Sequence, residues 1–133
     1  MNGKYLLDTN IVIPFFADDP LIKRRIQQAG EIFVPVIVIG ELFYGAEKSS
    51  RKVENIAKIE EFIQDNVILD CSTETARKYG EIKQQLRKDG HPIPENDIWI
   101  AAIALQYELT LISRDSHFRD VKGLSPEMWW IAC

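Results

Sequence analysis

A three-layer α/β/α domain built on a mainly parallel sheet is what this sequence predicts, and three observations carry that expectation. Short apolar runs closed by turn residues alternate along the chain with segments of helical periodicity, as strand–helix–strand crossovers require. No repeat, low-complexity tract or linker breaks the alternation, so residues 1–133 read as one domain. A chain of 133 residues can bury a core without disulfides or a structural metal, and its 46% apolar content is normal for a folded protein.

The elements follow in order. Tyr5-Leu6-Leu7 is the first strand. A helix begins near Thr9 and runs toward Ala17, with Pro14 tolerable only near its first turn or at a kink. A second short helix starts at Pro20, where a first-turn proline fits. "EIFVP" (31–35), closed by Pro, is strand two. "VIVIGELFYGAEKS" carries apolar residues at 39, 42, 43 and 46, a helical stripe. Ser49 or Ser50 is then expected to cap a helix with Val53, Ile56, Ile59, Phe62 and Ile63 on one face. "NVILD" (66–70) is strand three. Ser72 caps the next helix, which ends at Asp89-Gly90, where glycine accepts the left-handed conformation. Pro94 opens a helix expected to reach Leu109, "LTLIS" (109–113) is strand four, and the "MWWIAC" tail is a candidate edge strand.

Composition removes several function classes. The longest apolar run, Ile98 to Leu105, is far short of a membrane span, and three apolar residues after Lys4 are too few for a secretory signal. Cys71 and Cys133 form no CxxC pair and no disulfide framework, so they read as reduced, inert and cytoplasmic. A net charge of −4 does not suit a simple basic nucleic-acid binder, but it leaves room for an acidic site among local basic clusters. Those clusters are Lys23-Arg24-Arg25, Arg77-Lys78, Arg87-Lys88 and Arg114, and most read as solvated helix faces.

In open α/β sheets, ligands bind beyond the carboxyl ends of the strands, beside helix N-termini. Asp8 ends strand one, Asp115 follows strand four by two residues, and Asp97 stands in the first turn of the Pro94 helix. Three acids distant in sequence therefore converge on one sheet edge. Glu41 is the fourth candidate: it points about 200° away from Ile39 on an ideal helix, and Gly40 and Gly45 leave room beside it. Each also has a structural reading. Acids at these positions commonly cap free N–H groups and suit the helix dipole, and a Glu opposite an apolar stripe is commonly surface. Asp115 could likewise cap a short helix from Ser116.

Other chemistries fit less well. A dehalogenase-type phosphatase needs a second Asp two residues after the first, where this chain has Asn10. A receiver domain needs paired acids after strand one and a Lys after a later strand, and neither is present. Metal-free RNA cleavage would want cooperating histidines, but only His91 and His117 occur and nothing in the sequence links them. No His/Cys cluster suits zinc. His117 lies near Asp115, and Arg114 is the best candidate for a phosphate contact. Tyr44 and Trp99 could stack on bases, though their helical spacing favours packing.

Four stretches in order, "YLLDTNIVI" (5–13), "GELFYGAEKS" (40–49), "NDIWIAAIAL" (96–105) and "LISRDSHFRDVKGL" (111–124), resemble the PIN-domain nucleases, in particular the VapC-type toxins of VapBC toxin–antitoxin modules. With "MWW" near the end, the resemblance covers almost the whole chain. It implies a PIN-like α/β/α fold, endoribonuclease activity, a VapB-type antitoxin that occludes the cleft, and a homodimer. It places the family's functional acids at Asp8, Glu41, Asp97 and Asp115, with Thr9 and Asn10 as polar companions. Ser113 stands where the family more often has Thr and keeps the hydroxyl. Glu95, Asp18 and Asp19 match nothing in the pattern and read as surface residues. The runner-up reading is an inactive PIN-like module that binds RNA or protein.

Carboxylates gathered in this way repel one another unless a cation offsets them. Oxygen donors select a hard ion, Mg²⁺ or Mn²⁺, over zinc. Asp8, Asp97 and Asp115 are therefore expected to bind metal, and Glu41 to ligate it or orient the attacking water. The resemblance implies hydrolysis leaving a 5′-phosphate and a 3′-hydroxyl, but not which transfer, ribosomal or messenger RNA is cut.

Overall fold

A computed structural model of the chain describes residues 3–129. Four parallel strands, β1 (Lys4–Leu7), β2 (Glu31–Pro35), β3 (Val67–Leu69) and β4 (Thr110–Ile112), form one sheet in the order β3-β2-β1-β4. Six helices flank it: α1 (Thr9–Phe16), α2 (Pro20–Gln28), α3 (Val36–Glu47), α4 (Lys52–Asp65), α5 (Thr73–Asp89) and α6 (Glu95–Gln106), followed by a 3₁₀ helix at Ser116–Asp120. Leu6, Leu7, Val34, Leu111 and Ile112 are fully or almost fully buried, so the central strands read as continuous apolar runs rather than alternating ones. The expected layered α/β architecture is therefore present.

The strand order reverses at β1. From β1 the chain crosses to β2 on one side, and only later returns to place β4 on the other. That reversal is the switch point where open α/β sheets hold their ligands. The register there matters for chemistry: Leu6 pairs with Leu111 and Leu7 with Ile112. One step further on, residue 8 must lie beside residue 113, and the Asp8 N–H duly donates to the Ile112 carbonyl at 3.0 Å.

Several local expectations are corrected. Pro14 lies in the interior of α1, beyond its first turn, where its missing N–H leaves one helical bond unmade. The helix ends two residues later at Phe16. Neither Ser49 nor Ser50 is the N-cap of α4. Arg51 holds that position without a side-chain bond, and the Ser49 hydroxyl instead accepts from the Arg51 N–H (3.0 Å) and the Asn55 amide (2.9 Å). Val53 is 82% exposed, so the apolar face of α4 begins at Ile56.

Helix α6 stops at Gln106, three residues before the expected end. The N–H of Leu109 returns to the Ala104 carbonyl (2.8 Å) and that of Glu108 to Leu105 (3.3 Å), a Schellman closure. Its left-handed residue is Glu108, at φ 54°, rather than a glycine. Helix α5 ends as its sequence indicates, with Ser72 in a capping box and Gly90 at φ 74°. At the tail, Glu127 makes a single parallel bridge to Ile112 on the free edge of β4. The expected edge strand begins one residue later, at Met128; Met128 and Trp129 are not in a strand, and 130–133, with Cys133, lie outside the described residues.

Candidate active site

Asp8, Glu41, Asp97 and Asp115 line one open cleft at the switch point, together with Thr9 and Asn10. The end of β1 delivers Asp8, the third residue of α6 is Asp97, and the loop after β4 carries Asp115. Glu41 reaches the cleft from the middle of α3, which packs against both α1 and α6.

Capping accounts for neither Asp97 nor Asp115, and for only one oxygen of Asp8, the N-cap of α1, whose side chain accepts from the Thr9 N–H. Asp19 shows what an ordinary cap looks like: one carboxylate oxygen accepts from the Leu21 and Ile22 N–H groups of α2 (3.0 and 3.2 Å). Asp8 is only 3% exposed and accepts from the adjacent Thr9 N–H (2.8 Å), while its other oxygen takes the Ser113 hydroxyl at 2.7 Å. Asp97 belongs to the first turn of α6, but that helix has no side-chain cap. Asp115 occupies the N-cap position of the 3₁₀ helix and also makes no capping bond. Glu41 is half-buried rather than surface, and its Oε1 accepts the Thr9 hydroxyl at 2.6 Å.

Each acid also has a side-chain partner of its own. Ser113 donates to Asp8, Thr9 to Glu41, and the Asn10 amide to Asp115 Oδ2 at 3.2 Å. The fourth pair is His117 Nε2 to Asp97 Oδ2 at 2.8 Å, a link that sequence reasoning missed. His117 and Asp97 lie 20 positions apart on different elements, and only the proximity of His117 to Asp115 in the chain hinted at it. Asn10 is itself held in place, accepting the Arg114 backbone N–H on its Oδ1 (3.0 Å), and Ser113 Oγ accepts from the Asp115 N–H (3.0 Å).

Charge is expensive here. Burial pushes the Asp8 carboxyl up from 3.8 to about 6; the Ser113 and Thr9 hydrogen bonds oppose that rise, and the neighbouring Asp97 and Asp115 charges add to it. Burial also raises Asp97, against the lowering influence of His117. Asp97, Asp115 and His117 each offer a ligand atom, all within 4.8 Å of one another. Oxygen donors predominate, which suits a hard divalent cation that would offset the mutual repulsion of acids gathered so closely.

Other candidates fall away from the cleft. The guanidinium of Arg114 lies 3.9 Å from Asp19, a residue that proves to be a helix cap. Lys23, Arg77 and Lys78 pair with Asp18, Glu74 and Glu81 in exposed contacts of the kind that contribute little. Trp99 stacks on Tyr79 with centroids 4.2 Å apart, so it packs within the protein, whereas Tyr44 is 67% exposed on α3. His91 is exposed, as its loop position suggested. Glu95 borders the cleft, but its Oε1 accepts from Lys83 at 2.8 Å and from the Tyr79 hydroxyl.

Comparison with known proteins places this geometry. The PIN domain model matches residues 5–124. Ribonuclease VapC2 of Haemophilus influenzae is 45% identical over 129 residues, covering 95% of this chain and 98% of its own. The tRNA(fMet)-specific endonuclease VapC of Shigella flexneri is 33% identical over 129 residues, with 95% and 98% covered. Among solved structures, VapBC-1 from nontypeable Haemophilus influenzae superposes with a TM-score of 0.88 at 30% identity, covering 96% of this chain and 99% of the other.

Proposed function

This chain belongs to the PIN-domain family, and from that premise we propose that it is a VapC-type ribonuclease toxin that hydrolyses RNA phosphodiesters at the acidic cleft, using Mg²⁺ or Mn²⁺. The observation that carries the reading is the pairing of all four cleft acids with separate side-chain partners. A donor on one oxygen of Glu41, Asp97 and Asp115 fixes each orientation while leaving the second oxygen for a cation or a water. Asp8 is held through both oxygens, each with a lone pair still to offer. An inactive binding module has no need of four oriented acids, two of them, Asp8 and Asp97, kept at an electrostatic cost.

Asp8, Asp97 and Asp115 are the residues proposed to hold the metal, with Glu41 as a further ligand or the group that orients the attacking water. When bound, a hard divalent ion supplies a more acidic water and neutralises charge developing on the phosphate. The chain's own part is positioning. Ser113 and the Thr9 N–H fix Asp8 from two sides, and the register of β1 against β4 sets the first of those contacts. Thr9 also ties the start of α1 to α3 through Glu41, so Glu41 is held beside Asp8, the residue before Thr9.

The partner in this reading is a VapB-type antitoxin, as in the VapBC-1 structure that this fold matches. Homodimerisation, which the family resemblance implies, belongs to the same reading, as does a cytoplasmic location. Among the described residues no helix is long and apolar enough to cross a membrane, and Cys71 is a free exposed thiol. The test is incubation of the purified protein with RNA, with mapping of the product ends. Cleavage giving 5′-phosphate ends with Mn²⁺ or Mg²⁺ and none with chelator supports the proposal; cleavage unaffected by chelation contradicts the metal.

A further inference from the structure

We propose that His117 is a positioning residue of this site, holding Oδ2 of Asp97 so that Oδ1 is the oxygen offered to the cleft. The inference rests on the metal-dependent reading above and adds a residue to it.

The bond between His117 Nε2 and Asp97 Oδ2 is 2.8 Å long, while Asp115 Oδ2 lies 4.0 Å from the same nitrogen, so the contact is specific to Asp97. With Asp97 ionised the carboxylate can only accept, and the proton on Nε2 fixes the imidazole tautomer. The ring is placed by its surroundings. His117 belongs to the 3₁₀ helix Ser116–Asp120, and the next residue, Phe118, is completely buried and anchors that turn to the core. The two rings lie 4.9 Å apart.

The alternative role, direct ligation through Nε2, would require the imidazole to leave Asp97. A hard ion gains little from exchanging a carboxylate's charge-assisted bond for a nitrogen donor. The pattern of the site points the same way, since Ser113, Thr9 and Asn10 each occupy one oxygen of a different acid and His117 completes the set. Outer partners of this kind typically change metal affinity about 10- to 100-fold when removed.

Two variants test it. His117→Phe keeps a ring beside Phe118 but removes the donor, and His117→Gln restores an N–H at a similar reach. Mn²⁺ affinity is read by titrating the free-ion paramagnetic resonance signal, with the melting temperature of each metal-free protein as the fold control. The expected result is binding weakened about tenfold or more in His117→Phe, most of it recovered in His117→Gln, with metal-free melting near the parent's in both. Equal affinity in parent and His117→Phe, or no recovery in His117→Gln, overturns the positioning role. Imidazole nitrogen coupling to Mn²⁺ in the pulsed resonance spectrum of the parent would also overturn it, by making His117 a ligand. A parent that binds no Mn²⁺ removes the metal reading itself, a failure distinct from the others.

Discussion

The hydroxyl of Thr9 lies 2.6 Å from Oε1 of Glu41, joining the first residue of α1 to the middle of α3 across 32 positions of sequence. Thr9 follows Asp8, whose position is set by β1, so the tie connects Glu41 to the sheet edge on which the aspartates stand. It also identifies Glu41 as part of the cleft rather than of the outer surface.

Removing that hydroxyl should therefore disable more than it destabilises. Thr9→Val keeps the shape and loses the donor, leaving Glu41 free to turn. Cleavage is expected to fall at least about tenfold, by analogy with other outer partners of metal sites, with recovery in Thr9→Ser. Steady-state cleavage rates of the three proteins make the comparison; a Thr9→Val rate equal to the parent's would mean that the tie is incidental.

Asp8 predicts a pH signature in the metal-free protein. Its folded pKa of about 6 exceeds the ordinary 3.8, so between those values the folded state holds a proton that the unfolded chain has lost. Stability from this group is present below about pH 4 and is lost as pH rises through about 6, a total of roughly 3 kcal/mol. Asp8→Asn abolishes that loss. Denaturant midpoints with chelator present, taken from pH 4 to 7, should converge for parent and variant at the acid end, relative to a variant advantage near neutrality. Parallel profiles would contradict the burial argument.

Metal should reverse the same cost. A cation that binds only the folded state stabilises by mass action, about 2.7 kcal/mol at 100 times its dissociation constant. Melting temperature should rise with added Mn²⁺ and return on chelation, and the rise should shrink in Asp97→Asn. Flat melting curves across the titration would leave the acids without a metal role.

Glu95 gives a contrasting expectation. Although it borders the cleft, Lys83 and the Tyr79 hydroxyl hold its carboxyl below the ordinary range, and it faces solvent. Glu95→Gln should leave cleavage near the parental rate, measured beside Asp97→Asn as the inactive reference. Loss of activity in Glu95→Gln would enlarge the site beyond four acids.

Much of this was readable without coordinates because the strands are dictated by apolar runs with clear stops. Pro35 closes β2, and Asp8 and Ser113 follow β1 and β4 directly. The misread points share a cause: backbone bonding or exposure replaced the expected side-chain signal. Glu108 adopts the left-handed conformation usually left to glycine, so α6 ended unannounced. Val53 fits the stripe of α4 but stands in the first turn, where nothing covers it. In the cleft, acids at strand ends are visible as a pattern, but a histidine's choice of partner is not. His117 could have served Asp115 two residues away, but in the fold its Nε2 lies 2.8 Å from Asp97 and 4.0 Å from Asp115.

The most direct test of the central claim is sequencing of RNA ends in cells induced to express this chain or its Asp8→Asn variant. Asn keeps the size of Asp8 but not the charge that a hard cation requires. The account predicts discrete new 5′-phosphate ends with the parent, accompanied by growth arrest, and neither with a folded Asp8→Asn protein. The same new ends in both, or none with the parent, would contradict it.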